Sequence, residues 1–269
     1  MSAIADIEIY LDESGYTGSN LDTPEQPNLF FAGMRIPNDK KVDFWKDADK
    51  AWILAAELCK TFPDKILLKG KELFTYLIKG GGIFRGIDFP TKCRVVDLLV
   101  EAIIKHDLTL YWDGFKKEED KPKICNIDRL FFKGFAAFGN SLYQIENFLN
   151  PRFKIHLLAH HHPEIEQCDT TDKALNRNWP MMIGRRIELL PASAHRGIQI
   201  IDIILCILNR RNKYQQIDTS KLNRVDQKVI EYHERIKKAN LWRPAALFLR
   251  ELHRIKAIVT SDKTAASKT

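Results

Sequence analysis

The sequence lacks the covalent and membrane features that would assign it to a secreted or membrane-bound class. Its five cysteines are scattered, odd in number and never in a C-x-x-C arrangement, so neither a disulfide framework nor a zinc knuckle is indicated. The longest apolar run, around 200–208, is too short to span a bilayer, and the first residues lack the basic and apolar regions of a signal peptide. We therefore expect a soluble, cytoplasmic protein with no membrane association.

The common catalytic loops are also missing. No G-x-S-x-G elbow and no Walker loop occurs, and the glycine run at 80–82 is typical of a linker rather than a phosphate cradle. The three histidines at 160–162 have no H-x-x-x-H or H-E-x-x-H spacing. On extended chain they point in alternating directions and cannot all bind one ion, so we interpret them as a polar strand exit. Nucleophilic triads and nucleotide-binding loops are therefore not indicated.

Positive charge is concentrated near the end of the chain. The 269 residues carry a net charge of +7, and residues 209–258 hold 13 Lys or Arg against 5 Asp or Glu. A basic segment of this kind attracts phosphate backbones through counterion release. The alternative is that these side chains are the solvated faces of surface helices. Together with the acids described below, the segment favours DNA or RNA as a partner.

Hydrophobic periodicity predicts a mixture of strands and helices. An α/β fold is expected, because 45% hydrophobic content can fill a large core and because strands alternate with helical patterns. The expected strands are 4–12, 29–36, 108–112 and 153–158, the first two paired antiparallel, and the expected helices are 39–60, 91–106, 127–149, 198–210, 221–239 and 243–257. We interpret 163–190 as mostly loop.

Two acidic positions lie in apolar segments, where an ionised carboxylate costs free energy. Asp12 and Glu13 end the apolar strand that begins at residue 4, and Asp202 lies inside the apolar helix 198–210. An isolated carboxylate does not stay charged in an apolar setting unless something pairs with it. Two such acids brought together predict a shared divalent metal, either Mg²⁺ or Mn²⁺.

The same residues carry a resemblance to a known family. Ile9-Tyr-Leu-Asp-Glu-Ser-Gly15 and Ser193-Ala-His-Arg-Gly-Ile-Gln-Ile-Ile-Asp202 resemble the Asp-Glu-Ser-Gly and Leu-Gln-x-Ala-Asp motifs of a bacterial domain-of-unknown-function family, number thirty-eight hundred. That family is placed in the ribonuclease-H-like superfamily. The resemblance implies a ribonuclease-H-like mixed sheet flanked by helices over residues 1–212. For the rest of the sequence, pattern and composition predict a basic helical extension, 213–259, and a disordered tail, 260–269.

The resemblance also implies a site. Asp12 would face Asp202, and divalent ions held between them would hydrolyse phosphodiester bonds by the two-metal route. Asp113, which ends the strand 108–112, is a further candidate ligand, although an Asp-Gly turn is an equally good interpretation of that position. Glu13 adjoins Asp12 but reaches the same ion only if the chain bends, since successive strand residues face opposite sides.

One position departs from the family pattern. Members commonly carry an acid just before a Leu-Lys or Phe-His pair in the middle of the chain, whereas this sequence has Leu67 before Leu68 and Lys69. Glu72 lies five residues after Leu67. Either Glu72 supplies the ligand from a shifted position, or the chain lacks one ligand and has reduced or no activity.

Two further residues of the second motif have candidate roles. His195, seven residues before Asp202, is a candidate for touching phosphate or shuttling a proton, and its alternative role is that of a structural hydrogen-bonder. Gln199 lies one turn before Asp202 on the same helix flank, where it would orient the carboxylate.

Three functional hypotheses follow from these residues. The first is a metal-dependent nuclease acting on DNA or RNA, for which the family resemblance implies a context of defence against phage or mobile elements. The second is a catalytically degenerate ribonuclease-H-like module that binds nucleic acid or docks a protein partner within a larger complex. The third is a toxin-like effector that a partner releases.

Overall fold

The structure is a computed structural model, and it describes residues 6–14, 28–75, 82–117, 127–160, 187–191, 193, 195–214 and 217–266. The strands are β1 (Asp6–Ser14), β2 (Asn28–Pro37), β3 (Leu110–Lys116), β4 (Lys154–His160), β5 (Ile187–Leu190) and β6 (Trp242–Pro244). The helices are α1 (Asn38–Cys59), α2 (Gly70–Leu73), α3 (Phe89–Lys105), α4 (Ile127–Leu149), α5 (Arg196–Lys213), α6 (Arg224–Lys238) and α7 (Ala245–Ala266).

The six strands form one mixed sheet in the order β5-β4-β1-β2-β3-β6. The strands β1, β2 and β3 form an antiparallel meander, while β4 runs parallel to β1, β5 parallel to β4, and β6 parallel to β3. The prediction of an α/β fold, and of an antiparallel pair formed by the first two strands, is therefore confirmed.

Alternation along the strands divides the core into two layers. Ile7, Ile9 and Leu11 of β1 pack against α4 and α7 on one face of the sheet. Tyr10 points to the other face, where α1, α2, α3, α5 and α6 cover the sheet. Because successive strand residues face opposite sides, a strand this apolar must be covered on both faces. The sheet is therefore the middle layer of three.

Helix α5 lies along β1 at close range. A Cβ atom at Gly197 would lie 2.3 Å from Cδ1 of Tyr10, so only glycine permits this approach. Towards the other end of the helix, Asn209 Nδ2 donates to the hydroxyl oxygen of Ser14 at 3.1 Å. The helix therefore runs in the same direction as β1, and its middle lies beside the end of that strand.

The C-terminal segment differs from the sequence prediction in two ways. The strand β6 adds to the sheet beside β3, where the sequence predicted only helices. Helix α7 extends to Ala266, past residue 260, where the sequence predicted a disordered tail. Upstream, β5 is a short strand inside the segment predicted to be mostly loop. Within the described residues, no helix combines the length and apolar character that crossing a membrane requires.

Candidate functional site

Asp12 is a buried acid near the end of a central strand. It pairs with Ala32 of β2, and its side chain lies on the face of the sheet that α5 covers, with 5% of the residue exposed. Its Oδ1 accepts the backbone N–H of Glu13 at 2.9 Å and lies 3.2 Å from Nδ1 of His160. Burial, together with the charge of Asp202, raises the pKa of Asp12 to about 8.

Asp202 approaches Asp12 from α5, as the resemblance implies. Burial raises its pKa, while a hydrogen bond from the Gly70 N–H to Oδ2, 2.7 Å long, opposes that rise. A Cβ atom at Gly70 would lie 2.5 Å from Sγ of Cys206. Only a glycine at this first position of α2 therefore allows its N–H to approach the carboxylate. Two carboxyl groups separated by 190 positions in the sequence thus act on each other through their charges, the one buried and the other half-buried.

Gln199 acts on the neighbouring segment instead of on the Asp202 carboxylate. Its Oε1 accepts the Leu68 N–H at 2.8 Å and the Trp52 indole N–H at 3.1 Å. Because Asp202 holds the Gly70 N–H, these two residues of α5 bind alternate backbone groups of one extended segment, Leu68–Gly70. The predicted role of Gln199 is therefore replaced by that of a backbone anchor.

The anchored segment presents Lys69 beside the acids. Its side chain is exposed, and its charge opposes the rise in the pKa of Asp202. The half-buried Leu67 precedes this segment, at the position where the family pattern has an acid. Lys69 was not predicted as a site residue, because its position depends on the hydrogen bonds made by its two neighbours, Leu68 and Gly70.

His160 joins the acids, contrary to our interpretation of the histidine run. It is the last residue of β4, which runs parallel to β1 with Ala159 opposite Leu11. Ligand atoms of Asp12, Glu13 and His160 all lie within 4.8 Å of one another. Three successive histidines on a strand cannot all bind one ion, but a single one of them can lie beside the acids, as His160 does. His161 and His162 lie outside the described residues.

Glu13 belongs to this group, whereas two other predicted ligands do not. Its partial exposure and its place in the cluster agree with the predicted role, and the residues directly after Ser14 lie outside the described ones. Glu72 instead accepts the Ile83 N–H at 3.2 Å, and its carboxylate would contact any Cβ added at Gly82. Its carboxylate therefore faces the neighbouring loop.

Asp113 has a different position and role from those predicted. It pairs with Phe31 of β2, whose side chain packs in the layer formed with α4, so Asp113 projects from the face opposite to Asp12. Its two carboxylate oxygens accept the Ala246 N–H at 3.3 and 3.1 Å, at the first turn of α7. Burial raises its pKa to about 6. The acid acts as a helix cap.

His195 packs among aromatic rings and does not belong to the group of ligand atoms formed by Asp12, Glu13 and His160. It directly precedes α5, two turns before Asp202, and its ring packs 4.8 Å from that of Tyr10 and 6.4 Å from that of Trp45. Burial lowers its pKa. These are ring-packing contacts, and Nδ1 of His195 is buried without a hydrogen-bond partner among the described residues, so neither the phosphate contact nor the structural hydrogen bond is seen for this ring nitrogen.

A second buried acid shows what a stabilised carboxylate looks like in this protein. Glu146 of α4 is fully buried, and it pairs with Arg35 Nε at 2.8 Å, the Tyr111 hydroxyl at 2.8 Å and the Asn150 amide at 2.9 Å. Among the described residues, by contrast, no Lys or Arg forms an ion pair with Asp12. A buried acid that contacts a histidine, and no Lys or Arg, offers the oxygen and nitrogen donors that a divalent ion can use.

Many of the basic residues in the C-terminal segment are already paired. Arg210 binds Asp226 at 2.9 Å, and Arg235 binds Asp97 at 2.8 Å. Other cations of this segment are exposed, namely Lys213, Lys221, Arg224, Lys237 and Lys238. The basic surface is therefore smaller than the composition indicated.

Comparison with known proteins gave no match to a protein-family model, a curated protein or a solved structure.

Proposed function

We propose that this protein is a metal-dependent nuclease that hydrolyses phosphodiester bonds of DNA or RNA. The observation that carries the proposal is the pair of the buried Asp12 and the half-buried Asp202, whose charges act on each other and neither of which forms an ion pair with a lysine or arginine in the described part of the chain. Holding two carboxyl groups together in an apolar layer costs stability, and a divalent cation removes that cost. Proteins place strongly perturbed acids of this kind at functional sites.

The donor set fits a divalent metal ion. Asp12 and Glu13 offer carboxylate oxygens and His160 offers a ring nitrogen, all within 4.8 Å of one another. Asp202 lies outside that group, and its charge acts on Asp12. A bound Mg²⁺ or Mn²⁺ would supply an activated water and neutralise charge on the leaving oxygen. The Gly70 N–H, which donates to Oδ2 of Asp202, would orient that carboxylate.

The fold supports assignment to the ribonuclease-H-like superfamily and to the family whose motifs the sequence resembles. That assignment expects the first aspartate on a strand of a mixed sheet, facing an acid on the last helix of the fold. Here β1 lies inside a six-stranded mixed sheet, and α5 runs along it. Both motifs are adjacent in space, because α5 packs directly on β1.

Positive charge near the acids supports a nucleic-acid substrate. Lys69 lies beside Asp202 and can contact the phosphate next to the one that is cleaved. The exposed cations of 213–259 would add sequence-independent contacts to the backbone. In this proposal the acids perform the chemistry, and the lysines and arginines hold the strand.

A second function, that of a nucleic-acid-binding or protein-docking module without catalysis, is favoured by a specific observation. Leu67 stands where the family pattern has an acid, and Glu72, the nearest substitute, is hydrogen-bonded to Ile83. A site that lacks one ligand binds its metal more weakly or leaves it incompletely placed. The surface cations would then act alone or together with a partner protein.

Cleavage of labelled single- and double-stranded DNA and RNA separates the two functions. The purified protein is assayed with Mg²⁺ or Mn²⁺ beside Asp12→Asn, Asp202→Asn and the matched control Asp113→Asn, which alters an acid on the opposite face. We expect cleavage by the wild type and the control, and its loss in both site variants. Binding that survives Asp202→Asn, with no cleavage by any variant, would support the module instead.

A further inference from the structure

The candidate site differs from an all-oxygen site in one ligand. Nδ1 of His160 lies 3.2 Å from Oδ1 of Asp12, and the histidine side chain is about one-third exposed. The backbone explains this closeness, because β4 and β1 are parallel neighbours and both end at the same edge. The ring nitrogen therefore faces the acids from a rigid strand and not from a loop.

The separation of these two atoms fits coordination of one ion. Two ligands of an octahedral ion at about 2.1–2.2 Å from the metal lie roughly 3.0 Å apart, and a tetrahedral ion spreads them to roughly 3.4 Å. The observed 3.2 Å lies between these values. A neutral imidazole can bind a metal through Nδ1, while the Asp12 carboxylate supplies the adjacent oxygen.

We propose that this site selects Mn²⁺ over Mg²⁺, with Nδ1 of His160 as the ligand that discriminates between them. The inference rests on the proposed function for the place of the metal, and it adds the identity of the ion. Mg²⁺ requires hard oxygen ligands and near-ideal octahedral geometry, so a nitrogen donor weakens its binding. A first-row transition ion accepts imidazole, and the carboxylates of Asp12 and Glu13 suit Mn²⁺ within that series.

The test measures metal binding directly. Free Mn²⁺ is followed by its electron paramagnetic resonance signal during titration of metal-free protein, and Mg²⁺ is then added as the competitor. The wild type is compared with His160→Asn, with His160→Asp, which restores an oxygen donor, and with Asp12→Asn, which removes a shared ligand. Circular dichroism verifies that each variant is folded, and the exposure of His160 favours folding of its variants.

We expect the wild type to bind Mn²⁺ at least about tenfold more tightly than Mg²⁺. His160→Asn should lower the Mn²⁺ affinity by about 10- to 100-fold, the range that loss of a ligand or its support commonly produces, and should change the Mg²⁺ affinity much less. His160→Asp should bring the two affinities close together. Asp12→Asn should weaken both ions.

An unchanged ratio of Mn²⁺ to Mg²⁺ affinity in folded His160→Asn would overturn the inference, as would a wild type that binds neither ion. Cleavage measured in parallel keeps the two proposals apart. Selective Mn²⁺ binding without cleavage of any nucleic acid would leave this inference standing and remove the nuclease. Cleavage supported equally by both ions and insensitive to His160→Asn would do the opposite.

Discussion

Replacing Asp12 by asparagine should stabilise the metal-free protein, although it removes a side chain at the proposed centre. Asn has nearly the same shape, and its amide oxygen can keep the hydrogen bond from the Glu13 N–H. What it removes is a buried acid beside Asp202 whose pKa of about 8 disfavours ionisation in the folded state. The substitution therefore tests whether the acids are held together at a cost in stability.

The size and pH dependence of the gain follow from the pKa of Asp12. The folded state raises this pKa from 3.8 to about 8, so folding favours the protonated acid, and the wild type loses stability as the pH rises between these values. pH 7 lies about three units above the pKa of Asp12 in the unfolded state, so the cost of keeping this acid protonated in the folded state is at most about 4 kcal/mol. We expect about 1–4 kcal/mol, or a gain in Tm of about 2–4 °C per kcal/mol.

Urea unfolding at several pH values without metal, and again with Mn²⁺, provides the measurement. The advantage of Asp12→Asn should grow between pH 4 and pH 8 and should shrink or reverse when Mn²⁺ is present, since 100-fold excess over Kd stabilises the wild type by about 2.7 kcal/mol. The control Asp107→Asn changes an acid that is 78% exposed and should shift stability by less than about 0.5 kcal/mol. A variant less stable than the wild type at pH 8 without metal would refute the reasoning.

Two further substitutions test the segment anchored to α5. Gly70→Ala places a Cβ 2.5 Å from Sγ and 2.8 Å from Cβ of Cys206. It should lower the free energy of unfolding in urea by about 1–3 kcal/mol and weaken cleavage, and both should partly recover in the Cys206→Ala background. An unchanged stability would contradict the close approach. Lys69→Ala should leave the free energy of unfolding within about 0.5 kcal/mol of the wild-type value. It should weaken nucleic-acid binding and lower the slope of log K against log salt by about 1. A slope equal to that of the wild type in a filter-binding series would exclude the contact.

The elements that the sequence predicted well are those with long, regular patterns. The strand that became β1, its antiparallel partner β2 and helix α4 all have enough residues for a period of two or 3.6 to be visible. The strands β5 and β6 have four and three residues, too few for any pattern. Their existence depends on the exposed edges of neighbouring strands, which only the folded sheet provides.

The site was predictable to the extent that it depends on two motifs. The position of Asp12 at a strand end and of Asp202 in an apolar helix marked both acids, and the fold brings them together. The register between neighbouring strands determines where the other candidate residues lie. One step along β3 puts Asp113 on the wrong face for the site, and the alignment of β4 with β1 determines that His160 faces Asp12. Strand register is a tertiary property that local sequence does not determine.

The parallel run of α5 along β1 has a consequence for the timing of synthesis. Asp12 leaves the ribosome before His160, and Asp202 follows both, while chains emerge at about 5–20 residues per second. Until α5 has been made and has docked against Tyr10 through Gly197, the first acid has no second one opposite it. A nascent chain that has not yet made α5 therefore lacks one of the two facing acids, and the cleavage that we propose would become possible only after α5 has docked.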